Sequence, residues 1–273
     1  MSEKHSPSPW PLGLLLLSAI LLIPLDRGVL FLSAPLRIAL GLASAAGFIC
    51  FLGLEPRERR IRYLGLAIPL TILALAPIDT GLGWGHIVAI GIPFVAVLVV
   101  PPLIVRRPDI ITFKFWPHKL DLVDIAYTLI AIPLAWGGFA LYFGVLSPEV
   151  PFNWTLPPEP SNTELFKLFM GINSVGIWDE LFFINICYAL IRSLFPYRIA
   201  NPAQAVIYTV VLYDMAFTGW GPAFIYVLAL TQGAMFERSK VLIWVLIVHL
   251  IVDYFLFQAI VARYYPALEV WWH

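Results

Sequence analysis

The sequence predicts an all-α membrane protein, a polytopic helix bundle with eight or nine transmembrane helices. The 273-residue chain is 60% hydrophobic and only 12% charged, whereas soluble domains are about 25% charged. It also contains a succession of apolar stretches, many close to the roughly 20 residues that a bilayer-spanning helix needs. Because 17 basic and 17 acidic residues leave no net charge, the composition excludes a nucleic-acid partner and favours membrane lipid as the surroundings.

Nine apolar stretches follow one another, and each is expected to form one helix. The first is closed by Pro24, Asp26 and Arg27 without a small-residue cleavage site, which favours an uncleaved span over a signal peptide. Eight spans are the alternative, since the first stretch is short and the fourth ends near Pro101 and Pro102. The sixth is long enough for an interfacial helix that continues into a span. The stretches are residues 11–25, 38–54, 63–78, 85–105, 122–147, 165–195, 202–218, 221–236 and 241–262.

The positions of lysine and arginine predict the orientation. With the N-terminus inside, the inner segments hold most of the basic residues, as the positive-inside rule requires. Nine spans then place the C-terminus outside. The inner basic residues are Lys4, Arg57, Arg59, Arg60, Arg62, Arg106, Arg107, Lys114, Lys119, Arg192, Arg198, Arg238 and Lys240.

Four regions are expected along the chain. Residues 1–147 form an N-terminal half of transmembrane helices that serves packing, and residues 148–164 form a stiff, proline-rich external loop. Residues 165–262 form a four-helix core, followed by an aromatic C-terminal tail at 263–273. The division follows the ionisable residues, which are costly inside a membrane unless they are paired or face a cavity. They are concentrated in the last four stretches.

The candidate site consists of Asp179, Glu180, Asp214, His249 and Asp253. At the rise of an α-helix, four of these side chains lie roughly 12 to 22 Å from the inner boundary, so they can share one layer. His249 and Asp253 are four residues apart and project from one helix face. Asp179 and Glu180 are adjacent, so only one of them is expected to point directly at the partner helix.

A carboxylate and an imidazole that meet in a low-dielectric pocket can activate water. The carboxylate takes a proton from the water, and the imidazole stabilises developing negative charge or returns the proton. Glu180 and His249 are therefore expected to face each other across trapped water, in a cavity open to the inner side, with Asp253 orienting the His249 ring. The same residue types also fit an interhelical polar clamp or a proton path, and their spacing does not distinguish these readings.

Two segments resemble motifs of the CPBP family of intramembrane proteases, which includes type II CAAX prenyl endopeptidases and bacteriocin-processing and immunity-type proteins. The family's first motif is Glu-Glu-x-x-Phe-Arg-Gly. Its counterpart here begins at Asp179 and Glu180 and keeps Phe183, but Ile184 stands in place of the arginine and Asn185 in place of the glycine.

The family's third motif, His-x-x-x-Asn or Asp, is intact as His249 and Asp253, and the connection from Gln232 to Trp244 that leads to it also fits the family. The second motif, Phe-x-x-x-His, aligns with residues 213–217 and places Phe217 where the histidine belongs. The resemblance covers roughly residues 165–260.

The resemblance implies an endopeptidase in a bacterial plasma membrane that cleaves a membrane-anchored or hydrophobic peptide. Glu180 would be the general base, His249 would bind the oxyanion, and Asp253 would support His249. The absent arginine and second histidine make the active site divergent, and Asp214, one helical turn before Phe217, could take over a metal-ligand or proton-transfer role. No obligatory cofactor is expected; a divalent metal, if bound, would be held by Glu180, Asp214 and His249.

Two other functions fit the same residues. The chain could be an inactive family member that binds or scaffolds membrane peptides without cutting them. It could also be a proton-coupled transporter that uses Glu180, Asp214, His249 and Asp253 as a relay. Transporters of this type often contain inverted repeats, and none is visible in this sequence.

Overall fold

The computed structural model describes residues 7–24, 32–76, 83–117, 119–146, 156–215 and 219–268. Within these ranges the chain forms nine helices and no strand, which confirms the all-α prediction. The helices are α1 (Trp10–Leu22), α2 (Ala34–Leu54), α3 (Arg57–Leu75), α4 (Trp84–Val105), α5 (Leu122–Leu146), α6 (Asn162–Leu194), α7 (Tyr197–Met215), α8 (Gly221–Ser239) and α9 (Ile243–Tyr264).

Five of the described helices are long and apolar enough to cross a membrane, namely α2, α4, α5, α6 and α9. The helix α1 is apolar but shorter. This pattern is compatible with an integral membrane protein, while the number of spans stays a prediction. Among the five, α6 is the central helix, because 72% of its most apolar window is buried inside the bundle, against 17% for α4.

Local chemistry sets several helix ends. The Asp121 carboxylate caps α5 by accepting a backbone N–H at 2.8 Å, and the Ser161 hydroxyl caps α6 by accepting one at 3.3 Å. The helices α4 and α8 end at Arg106 and Lys240, whose left-handed backbones have φ of 50° and 56°. These caps supply partners for backbone groups that a helix end leaves unpaired.

Several connections meet at one end of the bundle, which we call the basic end because Arg62, Arg192, Arg238 and their neighbours collect there. Arg62 on α3 donates to the carbonyl of Ser193 at the end of α6, at 2.9 Å. Arg238 near the end of α8 pairs with Asp121 and Asp124 at the start of α5. The ends of α6 and α8 are joined in turn by Arg192 and Glu237, whose nearest atoms are 3.1 Å apart. The alternating helix directions therefore bring the predicted inner segments together.

Residues 106–117 form a strap across the basic end. The first backbone N–H groups of α9, at Leu242 and Ile243, donate to the carbonyls of Lys114 and Phe115 at 2.8 and 3.1 Å. The side-chain oxygen of Asn185 on α6 accepts the backbone N–H of Phe113 at 3.3 Å. The strap is thus tied to both of the helices that carry the candidate site.

Candidate functional site

The site forms where α6 changes its winding. Asp179 is the last residue of the α-helical part, and the following segment, Glu180–Tyr188, is π-helical. Such segments are rare and often lie at functional sites. Both Asp179 and Glu180 reach His249 on α9, with nearest atoms at 3.7 and 2.7 Å. The prediction that only one of the two could face the partner helix was wrong, because the two carboxylates approach opposite nitrogens of one ring.

Glu180 is fully buried, and one of its carboxylate oxygens holds three side chains together. This oxygen, Oε1, lies 2.7 Å from Nδ1 of His249. It also accepts hydrogen bonds from the Tyr208 hydroxyl at 3.2 Å and from the Gln232 amide at 3.1 Å. Since Glu180 and His249 are in direct contact, the expectation of a water molecule between them was wrong.

The opposite side of the His249 ring faces two further carboxylates. Its Nε2 lies 3.5 Å from Oδ1 of Asp253 and 3.7 Å from Oδ2 of Asp179. Both separations are longer than a good hydrogen bond, and the second oxygen of each of these two aspartates has no hydrogen-bond partner among the described residues. Glu180 therefore fixes one nitrogen of the ring, while the other nitrogen stands between two under-satisfied acids.

Gly176 allows α6 and α9 to come this close. A Cβ atom at this position would lie 2.0 Å from Oδ2 of Asp253 and 2.7 Å from Cδ2 of His249. Any side chain there would therefore collide with the two residues of the intact motif. The absence of a Cβ, rather than backbone freedom, is what the structure uses at this position.

An apolar cavity of about 260 Å³ adjoins the Nε2 side of His249. Asp179, His249 and Asp253 line one end of it, whereas Glu180 is not among its lining residues. A water molecule or substrate in the cavity would therefore meet the two aspartates and Nε2, not the Glu180 carboxylate. The remaining wall is mostly apolar and comes chiefly from α5, α8 and α9.

The cavity extends away from the basic end and opens sideways between α5 and α8. It reaches Gly221 at the start of α8 and Tyr142 near the end of α5, both of which are remote from the basic end. A cavity open to the inner, basic side stays a prediction, and the most exposed apolar lining residues lie midway along α5 and α8. The lining residues that are more than half exposed are Ile130 (55%), Leu134 (68%) and Val227 (60%).

A hydrogen-bonded chain connects the cavity wall on α5 with the buried acid. The Tyr127 hydroxyl donates to Oε1 of Gln232 at 2.9 Å. The Gln232 amide nitrogen then donates to Glu180 at 3.1 Å and to the Val245 carbonyl at 2.9 Å. Tyr127, Tyr208 and Gln232 were not predicted as site residues, because all three are uncharged. An amide at the centre of an apolar helix was the available signal for Gln232.

The Tyr127–Gln232 bond yields a testable prediction. Tyr127→Phe should lower the free energy of unfolding by about 1 kcal/mol, the net value of a typical hydrogen bond. The measurement is a denaturant titration in mixed micelles, repeated for Gln232→Leu and for the double variant. A favourable coupling energy between the two positions is expected. Strictly additive effects would show that the two side chains do not interact.

One predicted site residue, Asp214, and one motif position, Phe217, cannot be compared with the structure. Asp214 lies on α7, but its side chain is outside the described residues, as is Phe217. Of the divergent motif positions, Ile184 and Asn185 are both fully buried, and the Asn185 side chain accepts a hydrogen bond from the strap. Within the described ranges, no set of three His, Cys, Asp or Glu side chains is arranged to hold a metal ion.

Comparison with known proteins supplies no assignment for this site. No protein-family model matches the chain, and no curated protein or solved structure gives a significant match. Its function therefore has to be inferred from its own residues and geometry.

Proposed function

We propose that the chain is an intramembrane endopeptidase of the CPBP type that cleaves a membrane-anchored or hydrophobic peptide. The observation that carries the proposal is the meeting of Asp179, Glu180, His249 and Asp253 from two helices, with one face of the imidazole on an apolar cavity. A buried acid–imidazole cluster beside a cavity is the arrangement that water activation requires. The resemblance of the two motifs to the family points to the same reaction.

The geometry supports a division of labour among the four residues. Glu180 contacts Nδ1 and lies outside the cavity lining, so it is a positioning residue that sets the tautomer of the ring. Asp179 and Asp253 line the cavity and flank Nε2, so one of these carboxylates takes the proton from the attacking water. In its imidazolium form, with the Nδ1 proton bonded to Glu180 and a second proton on Nε2, His249 stabilises the oxyanion or delivers the Nε2 proton to the leaving amine.

A second candidate function is supported by the contact between Glu180 and His249. Their separation of 2.7 Å leaves no room for a water molecule between them. The resemblance to the family implied that the attacking water would lie between these two side chains. A chain with such a closed pair could bind hydrophobic peptides without cutting them. A cellular effect that survives both Glu180→Ala and His249→Ala would favour this function.

We further propose nine membrane spans, with the N-terminus and the basic end inside a bacterial plasma membrane. The helix α1 decides between eight and nine, because its 13 residues extend only about 20 Å at the rise of an α-helix. Cysteine-accessibility labelling of both termini in intact cells tests this topology. Labelling on opposite sides supports nine spans.

The proposed reaction is tested by variants of the cluster. Purified protein in lipid vesicles is incubated with membrane-embedded fluorogenic peptides, and cleavage sites are read by mass spectrometry. His249→Ala should lower kcat by at least about 100-fold, the lower range for loss of a general acid or base. Asp179→Asn and Asp253→Asn should lower it as well, since both carboxylates face the cavity.

Glu164→Gln is the matched control, because this acid is on the same helix as Glu180 but pairs with Lys167 near the surface. It should cleave at the wild-type rate. If the wild type cleaves peptides and His249→Ala cleaves them equally well, the activity arises elsewhere and the proposal is wrong.

A further inference from the structure

The buried cluster has an excess of acid. Asp179, Glu180 and Asp253 are between 0% and 4% exposed, and among the described residues their ion pairs are all with His249. Three carboxyl groups thus share one imidazole. Buried charges are normally paired, because an unpaired one costs several kcal/mol of desolvation free energy. The cluster has room for a further positive group.

Two of the three unpartnered carboxylate oxygens of the cluster belong to residues that line the cavity. Oδ1 of Asp179 and Oδ2 of Asp253 are buried and have no partner among the described residues. Both side chains line the polar end of the cavity. Oε2 of Glu180 is buried and without a described partner as well, but Glu180 is not among the residues that line the cavity, and its Oε1 is engaged by three side chains. A partner for the two aspartate oxygens therefore has to approach through the cavity and has to donate hydrogen bonds.

We propose that the cavity binds a primary ammonium group carried on an apolar chain, with the ammonium at Asp179 and Asp253. An ammonium group brings one positive charge and three N–H donors. The charge would offset the excess acid, and the donors would bond the two unpartnered aspartate oxygens. The apolar walls suit the chain that follows the ammonium, and the opening between α5 and α8 leads that chain toward the lipid. An amphiphilic amine or the N-terminus of a hydrophobic peptide has this chemistry.

This inference goes beyond the proposed function, because binding does not require that the chain cut peptides. Purified full-length protein in neutral maltoside micelles is titrated at pH 7 with radiolabelled dodecylammonium, and bound ligand is counted by scintillation proximity. The competitors are dodecyltrimethylammonium, dodecanol and dodecyl sulfate, which have the same chain length and different head groups. Binding is measured directly, so its failure can be told apart from a failure to cleave.

Dodecylammonium should bind saturably. Dodecyltrimethylammonium should bind at least about tenfold more weakly, because it carries the charge but no N–H donor and hydrogen bonds to charged groups are among the stronger ones. The Asp179→Asn and Asp253→Asn double variant should also lose at least about tenfold in affinity on the same ground. Asp109→Asn, which removes an exposed acid at the basic end, should bind like the wild type.

Three outcomes would overturn the inference. The first is equal affinity for all four amphiphiles, which indicates partitioning into an apolar surface. The second is unchanged binding by a folded double variant. The third is displacement of dodecylammonium by micromolar Mg²⁺, Mn²⁺ or Zn²⁺, which indicates an inorganic cation site. If the double variant does not fold, the head-group series on the wild type decides alone.

Discussion

Glu180→Ala is expected to lower the free energy of unfolding by about 3–5 kcal/mol, the range found when one partner of a buried charged pair is removed. The substitution leaves the Tyr208 hydroxyl, the Gln232 amide and Nδ1 of His249 without their shared acceptor. All three groups are buried with Glu180, so water cannot replace it. A denaturant titration of the purified protein in mixed micelles measures the loss.

Glu164→Ala serves as the control for Glu180→Ala on the same helix. Glu164 forms an exposed pair with Lys167, and such pairs contribute at most about 1 kcal/mol. Glu180→Gln should recover part of the lost stability, since its amide oxygen can still accept hydrogen bonds. Equal effects of Glu180→Ala and Glu164→Ala would mean that Glu180 does not hold the cluster together.

Gly176→Ala is expected to destabilise the protein by about 1–3 kcal/mol, the usual effect of overpacking a core, and to impair peptide cleavage. The new methyl group would occupy the space of Oδ2 of Asp253, 2.0 Å from the position of the Cβ atom. To avoid it, the side chains of Asp253 and His249 must turn away or α6 and α9 must move apart, and either change disturbs the contacts of His249 with the acids on α6. Unfolding titrations and cleavage rates on one preparation test both effects.

Gly171→Ala is the matched control, five residues earlier on α6. No atom lies within 4 Å of a Cβ built at Gly171, so the added methyl meets open space and the helix gains up to about 1 kcal/mol from alanine's higher helix propensity. Opposite signs for the two glycines are therefore expected. A stable, active Gly176→Ala variant would contradict the close approach of α6 and α9.

The helical fold was predictable because apolar stretch length and charge position are strong signals. The predicted stretches overlap the described helices throughout, and the meeting of His249 with Asp179 and Glu180 follows from placing them at similar depth. Helix ends were less predictable, since capping depends on single residues such as Asp121 and Ser161. The whole of residues 162–194 forms one helix, as the length of the sixth stretch allowed.

The details of the site were not predictable for physical reasons. The π-helical segment was not predicted, because the largely apolar residues 181–191 show no helical periodicity, and the joint approach of Asp179 and Glu180 depends on where the His249 ring lies between them. The neutral partners of Glu180 were missed because their role depends on tertiary contacts. The helix α5, assigned to packing, supplies Tyr127 and a cavity wall, which no property of its own sequence indicates.

The hydrogen bond from Tyr127 to Gln232 links α5, which lines the cavity, to the buried Glu180. A ligand that separates α5 from α8 would stretch this hydrogen bond. The bond is one of the contacts that hold Gln232 against Glu180. Any widening of the gap between α5 and α8 that broke this bond would therefore be felt at the Glu180–His249 pair through Gln232, although the Tyr127 hydroxyl itself bonds neither residue.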